Sequence, residues 1–329
     1  MTSVSLLGAG AWGIGLALTA YREGNKTSLW SAFETEIQDL KKNKEHVTLL
    51  PGIPIPSEIE LITDLQIAAQ ADIILLATPA QALRKVLQNL RPHLKSDPYL
   101  IICAKGIELE SAKLLSEVVE EEISGCTPSV IGGPNFAREI ALGLPAAATI
   151  ASPYQDQSQW LAGTLSHPSF FFYPSQDVKG VEIASAAKNV LAIACGLVTG
   201  AELGENARAA LITQGIAELV QMGIQKGCQL ETFLGYSGIG DIVLTCTSQT
   251  SRNMKLGVDL ASGKSLETLK KEGSPLTEGA FTVKALMKMA HTMGINLPVC
   301  EAVHRILYEG KLIQDEIRSL FKHSMRIKT

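Results

Sequence analysis

The chain has 329 residues, which at roughly 150 residues per domain predicts about two domains. Hydrophobic residues make up 46% of it and charged residues 19%, so it has enough apolar material for large cores and is unlike a disordered protein. The 29 basic and 33 acidic residues give a net charge of −4, which excludes a partner held mainly by its polyanionic charge, such as a nucleic acid. A local basic pocket for one small anion is compatible with that charge.

Six cysteines are scattered along the chain with no C-x-x-C pair and no short Cys/His spacing, which predicts thiols in a reducing cytosol and no metal site. An uncharged run at residues 4–20 has the length of a signal peptide. No basic residue precedes it and four glycines interrupt it, so it suits a phosphate-binding loop better. No uninterrupted apolar segment of about 20 residues follows, and we expect a cytoplasmic protein without a membrane span.

The first half of the chain alternates short apolar runs with helical patterns. Residues 73–77 are continuously apolar, which is typical of a strand buried on both faces in a parallel sheet. Helical patterns run from residue 11 to about residue 24 and over residues 82–90. Further strands are predicted at residues 4–7, 27–30, 99–104, 129–131, 146–150 and 170–172. Strands separated by helices indicate βαβ units and a doubly wound sheet.

From about residue 181 the pattern is helical. Helices are predicted at residues 181–198, 207–223, 253–261, 283–293 and 300–308, and no segment has the pattern of a strand. The predicted fold class is therefore α/β, with a doubly wound N-terminal domain at residues 1–178 followed by an all-helical C-terminal domain at residues 179–329.

The hexapeptide GAGAWG at residues 8–13 matches G-x-G-x-x-G between the first predicted strand and the first helix. Gly8 permits a tight turn, Gly10 lets the backbone approach a pyrophosphate, and Gly13 lets the helix pack closely on the sheet. The N–H groups and positive dipole end of the helix then face the phosphates. This context predicts dinucleotide binding, and the alternative is a glycine-rich turn with a structural role.

The second predicted strand ends at Trp30, and Ser-Ala-Phe-Glu follows it at residues 31–34. In a dinucleotide-binding domain this strand end reads the adenosine ribose, and an NAD-preferring domain usually has Asp or Glu there. The strand tip carries neither an acidic residue nor an arginine, so the choice between NAD and NADP stays open.

Two lysines are candidates for a site. Lys105 follows a predicted strand, which places its ammonium at the carboxyl edge of the sheet, where open α/β folds bind ligands. The alternative for it is a solvated loop lysine. Lys188 lies in a helix that is apolar almost all round, and burial lowers the pKa of a lysine toward the range useful for proton transfer. A snorkelling or ion-paired lysine is the alternative for Lys188.

Two short polar motifs follow in the helical half. Asp241 and Thr245 are four residues apart and share one face if their segment is helical. Ser251 is a candidate N-cap, and Arg252 together with the helix end can hold an anion through charge-assisted hydrogen bonds. Ordinary helix capping is the alternative for this second motif.

Several motifs occur together in one order between residues 8 and 279: GAGAWG, AKGIE, IGGPNFAREIA, AAKNVLAI, GIGDIVLTC, TSRN and TEG. Together they resemble the NAD(P)-dependent sn-glycerol-3-phosphate dehydrogenases of bacterial type. The resemblance implies a Rossmann-like, dinucleotide-binding domain at residues 1–178 and a helical domain for substrate binding and catalysis at residues 179–329. It implies reversible hydride transfer from NADH or NADPH to C2 of dihydroxyacetone phosphate, giving sn-glycerol 3-phosphate for glycerophospholipid synthesis. It further implies a homodimer that needs no metal.

The resemblance also implies roles for individual residues. Lys188 looks like the general acid/base at the C2 oxygen, and Lys105 like the lysine that contacts the substrate oxygen and helps polarise the carbonyl. Asp241 and Thr245 resemble the residues that orient that general acid/base and the substrate hydroxyls. The other implied substrate contacts are Gly133, Asn135, Asn189, Ser251, Arg252 and Asn253, the last three as a phosphate grip. The implied cofactor contacts are Gly8, Gly10, Ala11, Trp12, Gly13, Ser31, Ala32, Phe33, Lys105, Ala137, Arg252, Leu276 and Glu278.

The chain departs from the family pattern in two places. Many bacterial members have a basic residue at or beside position 32, where it can meet a 2′-phosphate, whereas this chain has Ala32. The run at residues 32–34 instead resembles the Val-Phe-Glu of NAD-using eukaryotic members. Asn135 replaces the commoner Ser or Thr and keeps a hydrogen-bonding side chain. The cofactor preference therefore leans toward NAD or toward use of both.

Two other functions stay open on the sequence. A dehydrogenase of a β-hydroxyacid also uses a helical lysine, but it has no use for the phosphate grip. A nucleotide-sensing module that kept the fold binds the cofactor without turnover, and a change at Lys188 then has no effect on a rate.

Overall fold

The computed structural model describes residues 2–272 and 277–324. The chain divides into two compact units, of which the first comprises Met1–Lys105 and Leu115–Val181 and the second comprises Gly106–Leu114 and Glu182–Thr329. The domain boundary at residues 178/179 stays a prediction. It treats the chain as two unbroken stretches, whereas the structure assigns residues 106–114 to the second unit.

The first unit is built on one eight-stranded sheet. Its strands are β1 (Ser3–Leu7), β2 (Lys26–Trp30), β3 (Glu60–Ile62), β4 (Ile73–Leu76), β5 (Tyr99–Ile102), β6 (Ser129–Gly132), β7 (Ala146–Ala151) and β8 (Phe170–Ser175). Their order across the sheet is β3-β2-β1-β4-β5-β6-β7-β8. The order reverses between β1 and β4, and open α/β sheets bind ligands at the carboxyl ends of the strands beside such a switch point.

The helices of the first unit alternate with these strands. They are α1 (Ala11–Arg22), α2 (Glu34–Asn43), α3 (Leu65–Ala68), α4 (Leu83–Leu90), α5 (Leu115–Glu122), α6 (Ala137–Leu142) and α7 (Gln155–Leu165), with short 3₁₀ turns at Ala80–Ala82 and Arg91–His93. Each strand predicted in this half overlaps an observed one. The prediction misses β3, because three residues at the sheet edge are too few to show a pattern.

Burial on both faces explains the continuous apolar run at residues 73–77. Ile73 and Leu75 of β4 enter one hydrophobic core, and Ile74 and Leu76 enter the core on the opposite face of the sheet. Successive side chains of a strand point to opposite faces, so a strand covered on both sides is apolar at every position. The doubly wound α/β fold class is thereby confirmed.

One pair of strands departs from the parallel arrangement. Strands β6 and β7 pair antiparallel, with Ile131 opposite Ile150, while the other neighbouring pairs are parallel. An alternation of short apolar strands with helices predicts βαβ units. It carries no information on strand direction, and the sequence therefore does not predict this reversal.

The second unit is helical, and its described residues form no strand beyond one isolated bridge between Ile107 and Leu114. Its helices are α8 (Val178–Gly200, in this unit from Glu182), α9 (Glu205–Gln225), α10 (Leu230–Leu234), α11 (Asp241–Thr247), α12 (Arg252–Ala261), α13 (Leu266–Lys271), α14 (Glu278–Met293), α15 (Pro298–Tyr308) and α16 (Ile313–Ser324). A π-helical turn at Tyr236–Gly240 precedes α11. The all-helical prediction is confirmed, although the pattern misses α10, α11, α13 and α16.

Helix α8 supplies much of the helical core. By length and composition alone it could cross a membrane, but the whole of its apolar 18-residue window is buried inside the protein. A Cβ on Gly196 of α8 would overlap the carbonyl oxygen of Met254 in α12, and a Cβ on Gly257 would overlap that of Ile193. The backbones of α8 and α12 therefore touch, which glycine alone permits.

Helix α9 places a carboxylate, that of Glu218, in this core. Its two oxygens accept hydrogen bonds from the N–H of Val299, in the first turn of α15, at 2.9 and 3.0 Å. Burial raises the pKa of Glu218 to about 7, although the N–H groups of Val299 and Cys300 act in the opposite direction. Glu218 therefore caps a helix and titrates near neutral pH.

We expect Glu218→Gln to remove a pH-dependent loss of stability. The unfolded carboxyl titrates near 4.5, so between that pH and about 7 the folded protein binds the additional proton. The free energy of unfolding consequently falls as pH rises through this window. From pH 5 to pH 8 the parent protein should lose about 2–3 kcal/mol relative to the variant, at about 1.4 kcal/mol per pKa unit. Urea unfolding at both pH values measures this, with the exposed Glu231→Gln as the control. The same stability difference at both pH values would contradict the assignment.

Candidate active site

The glycine turn between β1 and α1 lies at the switch point of the sheet. Gly8 has a φ of 123°, and a Cβ on it would lie 2.8 Å from the carbonyl oxygen of Ala77, which follows β4. A Cβ on Gly13 would overlap the carbonyl oxygen of Gly8. Both positions therefore require glycine, for the tight turn and the close helix packing that the G-x-G-x-x-G pattern predicts.

Gly10 has a different environment, because nothing lies within 4 Å of a Cβ placed on it. It precedes Ala11, the first residue of α1, and this helix start has no side-chain cap. The first N–H groups of a helix have no partner within the helix, and they bind anions readily. The open space over Gly10 therefore fits a pyrophosphate.

Two polar side chains at the same edge of the sheet have buried atoms that no described residue hydrogen-bonds. They are both amide atoms of Asn135, which follows β6, and the hydroxyl of Thr78, which follows β4. Buried polar atoms of this kind are ordinarily satisfied by water or a ligand. With Gly10 they fit a nicotinamide dinucleotide, which supplies the hydride chemistry when bound. No motif in the sequence marks Thr78 as a site residue; the signal for it is its position directly after the apolar run at residues 73–77.

Lys105 lies at this edge as well, three residues after β5. Its ammonium donates a hydrogen bond to the carbonyl oxygen of Gly133 at 2.9 Å and lies 5.7 Å from the ring centroid of Trp12. The indole N–H of Trp12 donates in turn to the carbonyl oxygen of Cys103 at 3.0 Å. Gly133 has a φ of 148°, and a Cβ on it would lie 2.8 Å from the Cα of Ala148. The structure thus brings together three of the predicted site residues.

A side chain from the following helix, α2, forms a hydrogen bond with the residue that follows β2. Ser31 is buried, Ala32 is exposed, and Phe33 is 70% exposed. The hydroxyl of Ser31 accepts a hydrogen bond from the N–H of Phe33 at 3.1 Å and donates one to a carboxylate oxygen of Glu36, in the first turn of α2. The sequence places no acid at this strand end, but the structure brings one there from five residues further along the chain.

In the second unit, Lys188 meets Asp241 and Thr245. The lysine ammonium donates hydrogen bonds to Oδ1 of Asp241 at 2.5 Å and to the hydroxyl of Thr245 at 2.9 Å. Lys188 is 6% exposed and Asp241 is fully buried. Asp241 and Thr245 both lie in α11, as their spacing predicts if the segment is helical. Lys188 is therefore ion-paired, and the carboxylate stabilises the ammonium form, which is the form that can donate a proton.

A chain of hydrogen bonds runs beside this pair. The side-chain amide of Asn253 donates to Oδ1 of Asn189 at 2.9 Å, and the N–H of Gly279 donates to Oδ1 of Asn253 at 3.1 Å. A Cβ on Gly279 would lie 2.6 Å from the carbonyl oxygen of Asn189, so this position requires glycine. Asn189 follows Lys188 and Asn253 follows Arg252. These hydrogen bonds therefore fix α12 and α14 against α8, the helix that carries Lys188.

Helix α12 begins at the predicted phosphate grip. Ser251 is its N-cap, with its hydroxyl accepting a hydrogen bond from the N–H of Met254 at 3.3 Å. Arg252 is the first helical residue and is exposed. Ser251 is therefore an ordinary helix cap, the alternative that the sequence left open for this motif. The helix end and the arginine together offer N–H donors and positive charge to an anion.

The remaining predicted residues are placed as follows. Ala137 begins α6, and its carbonyl oxygen lies 3.2 Å from a Cβ placed on Gly15 of α1. Glu278 begins α14 and is half-buried. Leu276 lies outside the described residues. Across residues 2–272 and 277–324 no group of three or more His, Cys, Asp or Glu side chains is arranged to hold a metal ion, and none of the six cysteines, all within those ranges, forms a disulfide.

A dinucleotide-binding sheet continued in one chain by a helical unit with a buried lysine–carboxylate pair places the protein among the two-domain dehydrogenases. Profiles of one family match both parts. The profile described as NAD-dependent glycerol-3-phosphate dehydrogenase N-terminus matches residues 3–158, and the C-terminus profile matches residues 177–318. The chain belongs to the NAD-dependent glycerol-3-phosphate dehydrogenase family.

Individual relatives agree with this membership. The chain is 39% identical to a glycerol-3-phosphate dehydrogenase (NAD(P)+) of Parvibaculum lavamentivorans, over 99% of this chain and 98% of the relative. It is 42% identical to one of Rhodopseudomonas palustris, over 96% and 95%. The crystal structure of glycerol-3-phosphate dehydrogenase from Coxiella burnetii matches with a TM-score of 0.93 at 33% identity, over 97% of this chain and 98% of that one. The resemblance carried by the motifs is confirmed, and with it an NAD(P)-dependent oxidoreductase.

Proposed function

We propose that the protein catalyses the reversible reduction of dihydroxyacetone phosphate to sn-glycerol 3-phosphate with NADH or NADPH. One observation carries the proposal furthest. Within the second unit, the Asn189–Asn253 hydrogen bond ties the segment of Lys188 to that of Arg252, at 2.9 Å between the two amides. A proton donor and an anion grip on one rigid scaffold suit a small phosphorylated ketone.

Lys188 is the general acid/base in this proposal. In the direction of reduction, a hydride arrives at C2 of the ketone and the Lys188 ammonium donates a proton to the C2 oxygen, which gives the alcohol. In reverse, the neutral amine removes that proton. Asp241 and Thr245 hold the ammonium by hydrogen bonds of 2.5 and 2.9 Å and so restrict its direction. A positioned acid/base of this kind contributes about 10²–10⁴-fold to a rate.

The phosphate of the substrate is held by Ser251, Arg252 and Asn253 at the start of α12. Arg252 supplies charge-assisted hydrogen bonds, and the helix end supplies N–H donors and a positive dipole. Asn253 is buried and already bonded to Asn189 and Gly279, so it positions this segment. The phosphate grip is the feature that a dehydrogenase of an unphosphorylated β-hydroxyacid does not need.

The first unit holds the cofactor in this proposal. Gly8, Gly10 and Gly13 shape the pyrophosphate turn, and Asn135 offers its buried amide to ligand atoms. Lys105, steered by the carbonyl of Gly133, contacts the substrate oxygen and helps polarise the carbonyl. The contacts of Ala11, Trp12, Ser31, Ala32, Phe33, Ala137, Leu276 and Glu278 with the cofactor stay proposals that rest on the family resemblance.

The physiological setting follows from the same resemblance. We propose that the protein acts in the cytoplasm as a homodimer without a membrane span, and that it supplies the glycerol phosphate backbone of phospholipids. Light scattering of the purified protein measures the oligomeric state directly. A monomer at micromolar concentration would contradict the dimer and leave the reaction unaffected.

The reaction is tested by following the oxidation of NADH and of NADPH side by side with dihydroxyacetone phosphate. We expect turnover with at least one cofactor and formation of sn-glycerol 3-phosphate in equal amount. Unphosphorylated dihydroxyacetone is the control and should be reduced far more slowly. Reduction of an unphosphorylated β-keto acid in place of dihydroxyacetone phosphate would establish the rival dehydrogenase. Cofactor binding without turnover of either would establish the binding module.

A further inference from the structure

The end of β2 lies beside the glycine turn. The N–H of Gly8 donates a hydrogen bond to the carbonyl oxygen of Trp30, the last residue of β2, at 2.9 Å. In a dinucleotide-binding fold, the residue at this strand end meets the adenosine ribose: an acid accepts hydrogen bonds from the ribose hydroxyls of NAD, and an arginine accommodates the 2′-phosphate of NADP. Ala32 and Phe33 can do neither of these.

Glu36 brings a carboxylate to this point. One of its oxygens accepts a hydrogen bond from the hydroxyl of Ser31, which itself accepts one from the N–H of Phe33. The serine hydroxyl has a single proton, which it donates in the hydrogen bond to the carboxylate. This hydrogen bond holds the side chain of Glu36 in a defined place. A carboxylate has about four acceptor positions and Ser31 occupies one of them, which leaves capacity for a pair of hydroxyl groups.

The charge around Glu36 is unfavourable for a second anion. A hollow of about 290 Å³ beside it is lined by three acidic residues, Glu36, Asp39 and Glu45, and the described residues that line it include no lysine or arginine. The lysines of α2, Lys41 and Lys42, lie in the last turn of that helix.

The basic side chain that lines the hollow is that of His46. Its Nε2 lies 3.6 Å from the second oxygen of Glu36, and its Nδ1 accepts a hydrogen bond from the N–H of Leu49 at 3.2 Å. In the neutral ring the proton is therefore assigned to Nε2, facing the carboxylate. His46 thus helps to hold the Glu36 carboxylate in place, and this carboxylate is the group that would repel a phosphate.

We propose that Glu36, held by Ser31, is the residue that makes this protein select NAD(H) over NADP(H). The carboxylate takes the place of the acid that the strand end lacks and accepts hydrogen bonds from the adenosine ribose hydroxyls. A 2′-phosphate, which carries about −1.5 to −2 charges at neutral pH, replaces a donor with an anion at that position and is repelled. This inference rests on the proposed function, since it names the cofactor that the proposed reaction uses.

The test measures cofactor binding before any reaction. Titration of the unreacted protein with NADH and with NADPH, followed by nicotinamide fluorescence, gives two dissociation constants. We expect the parent protein to bind NADH at least about tenfold more tightly, the scale of one lost charged hydrogen bond. Glu36→Gln should reduce that ratio about tenfold, because it weakens NADH binding and relieves the repulsion of NADPH. Equal binding of the two cofactors by the parent protein would overturn the inference.

Two further variants keep the result interpretable. Ser31→Ala leaves the carboxylate in the sequence but removes its anchor, and it should reduce the ratio in the same direction by a smaller factor. Glu34→Gln changes the same charge in the same turn at an exposed residue paired with Gln38, and it should change the ratio less than about twofold on the scale of exposed pairs. A change with Glu34→Gln as large as with Glu36→Gln would show a general charge effect and contradict the assignment.

Turnover separates this inference from the proposed function. With dihydroxyacetone phosphate, Glu36→Gln should raise the KM for NADH and leave kcat close to that of the parent, because the adenosine ribose is remote from the reacting carbon. Absence of turnover in the parent, with the NADH preference and its loss in Glu36→Gln both observed by titration, would sink the proposed reaction and support the cofactor assignment. Turnover, together with an unchanged ratio of the NADH and NADPH dissociation constants in Glu36→Gln, would support the proposed reaction and contradict the cofactor assignment.

Discussion

Lys188→Ala should lower kcat for reduction of dihydroxyacetone phosphate by about 10²–10⁴-fold, the usual range for a positioned general acid/base. The proton that neutralises the C2 oxygen then has to come from water, whereas Lys188 holds it in place through bonds of 2.5 Å to Asp241 and 2.9 Å to Thr245. Cofactor dissociation constants should change far less than kcat, because the substitution leaves the glycine turn at residues 8–13 intact. Steady-state kinetics with NADH, together with a fluorescence titration, measure both quantities.

The same substitution leaves the fully buried Asp241 without its lysine partner, and such a loss destabilises a protein by about 3–5 kcal/mol. The double variant with Lys188→Met and Asp241→Asn removes both charges and should melt closer to the parent while remaining as inactive as Lys188→Ala. Lys179→Ala changes an exposed lysine of the same helix α8 and serves as the control. A folded double variant with less than about a threefold loss of kcat would refute the role of Lys188.

Arg252→Ala should lower kcat/KM for dihydroxyacetone phosphate by about 10- to 100-fold, since charge-assisted hydrogen bonds contribute about 1.5–3 kcal/mol each. Most of the loss should appear in KM, because the phosphate is bound in the ground state as well as in the transition state. Arg252 is exposed and is the first residue of α12, directly after the Ser251 cap, so its truncation to alanine should leave the melting temperature nearly unchanged.

Unphosphorylated dihydroxyacetone is the matched substrate for this variant. Its slow reduction should be affected less than about threefold, since no phosphate is there to be held. Lys255→Ala removes an exposed charge three residues along α12 and should leave both substrates unaffected. Equal losses on both substrates in Arg252→Ala would remove the phosphate assignment and favour a dehydrogenase of an unphosphorylated acid.

The sheet is predictable because burial has a direct signature in the residues. Residues 73–77 are apolar at every position because both faces of β4 are covered, and the glycine spacing at residues 8–13 reflects overlaps with Ala77 and Gly8 that any Cβ would cause. Strand direction leaves no such signature, so the antiparallel pairing of β6 with β7 is not predictable. An edge strand of three residues, β3, is too short for a pattern.

The site is predictable in part, because some of its contacts are local and others are not. The burial of Lys188 follows from the apolar residues around it. Its partner Asp241 lies 53 residues away, and only the family resemblance predicts that the two side chains meet. Asn189 and Asn253 are 64 residues apart, and nothing in either segment indicates that their amides meet. Glu36 is not predicted for a different reason. The pattern for the strand end considers only the residues that directly follow the strand, whereas Glu36 lies in α2 and its side chain reaches back to Ser31.

The backbone contacts of Gly196 with α12 and of Gly257 with α8 set the distance between the two helices that carry Lys188 and Arg252. Lys188 lies eight residues before Gly196, or about 12 Å along α8, and Arg252 lies five residues before Gly257, or about 7.5 Å along α12, at 1.5 Å per residue. With the crossing point fixed by two residues that have no side chain, the separation of the backbones at Lys188 and Arg252 is fixed as well. In the proposed reaction, we therefore expect this pair of glycines at a helix crossing to limit the carbon-chain length of the phosphorylated ketones that the protein reduces.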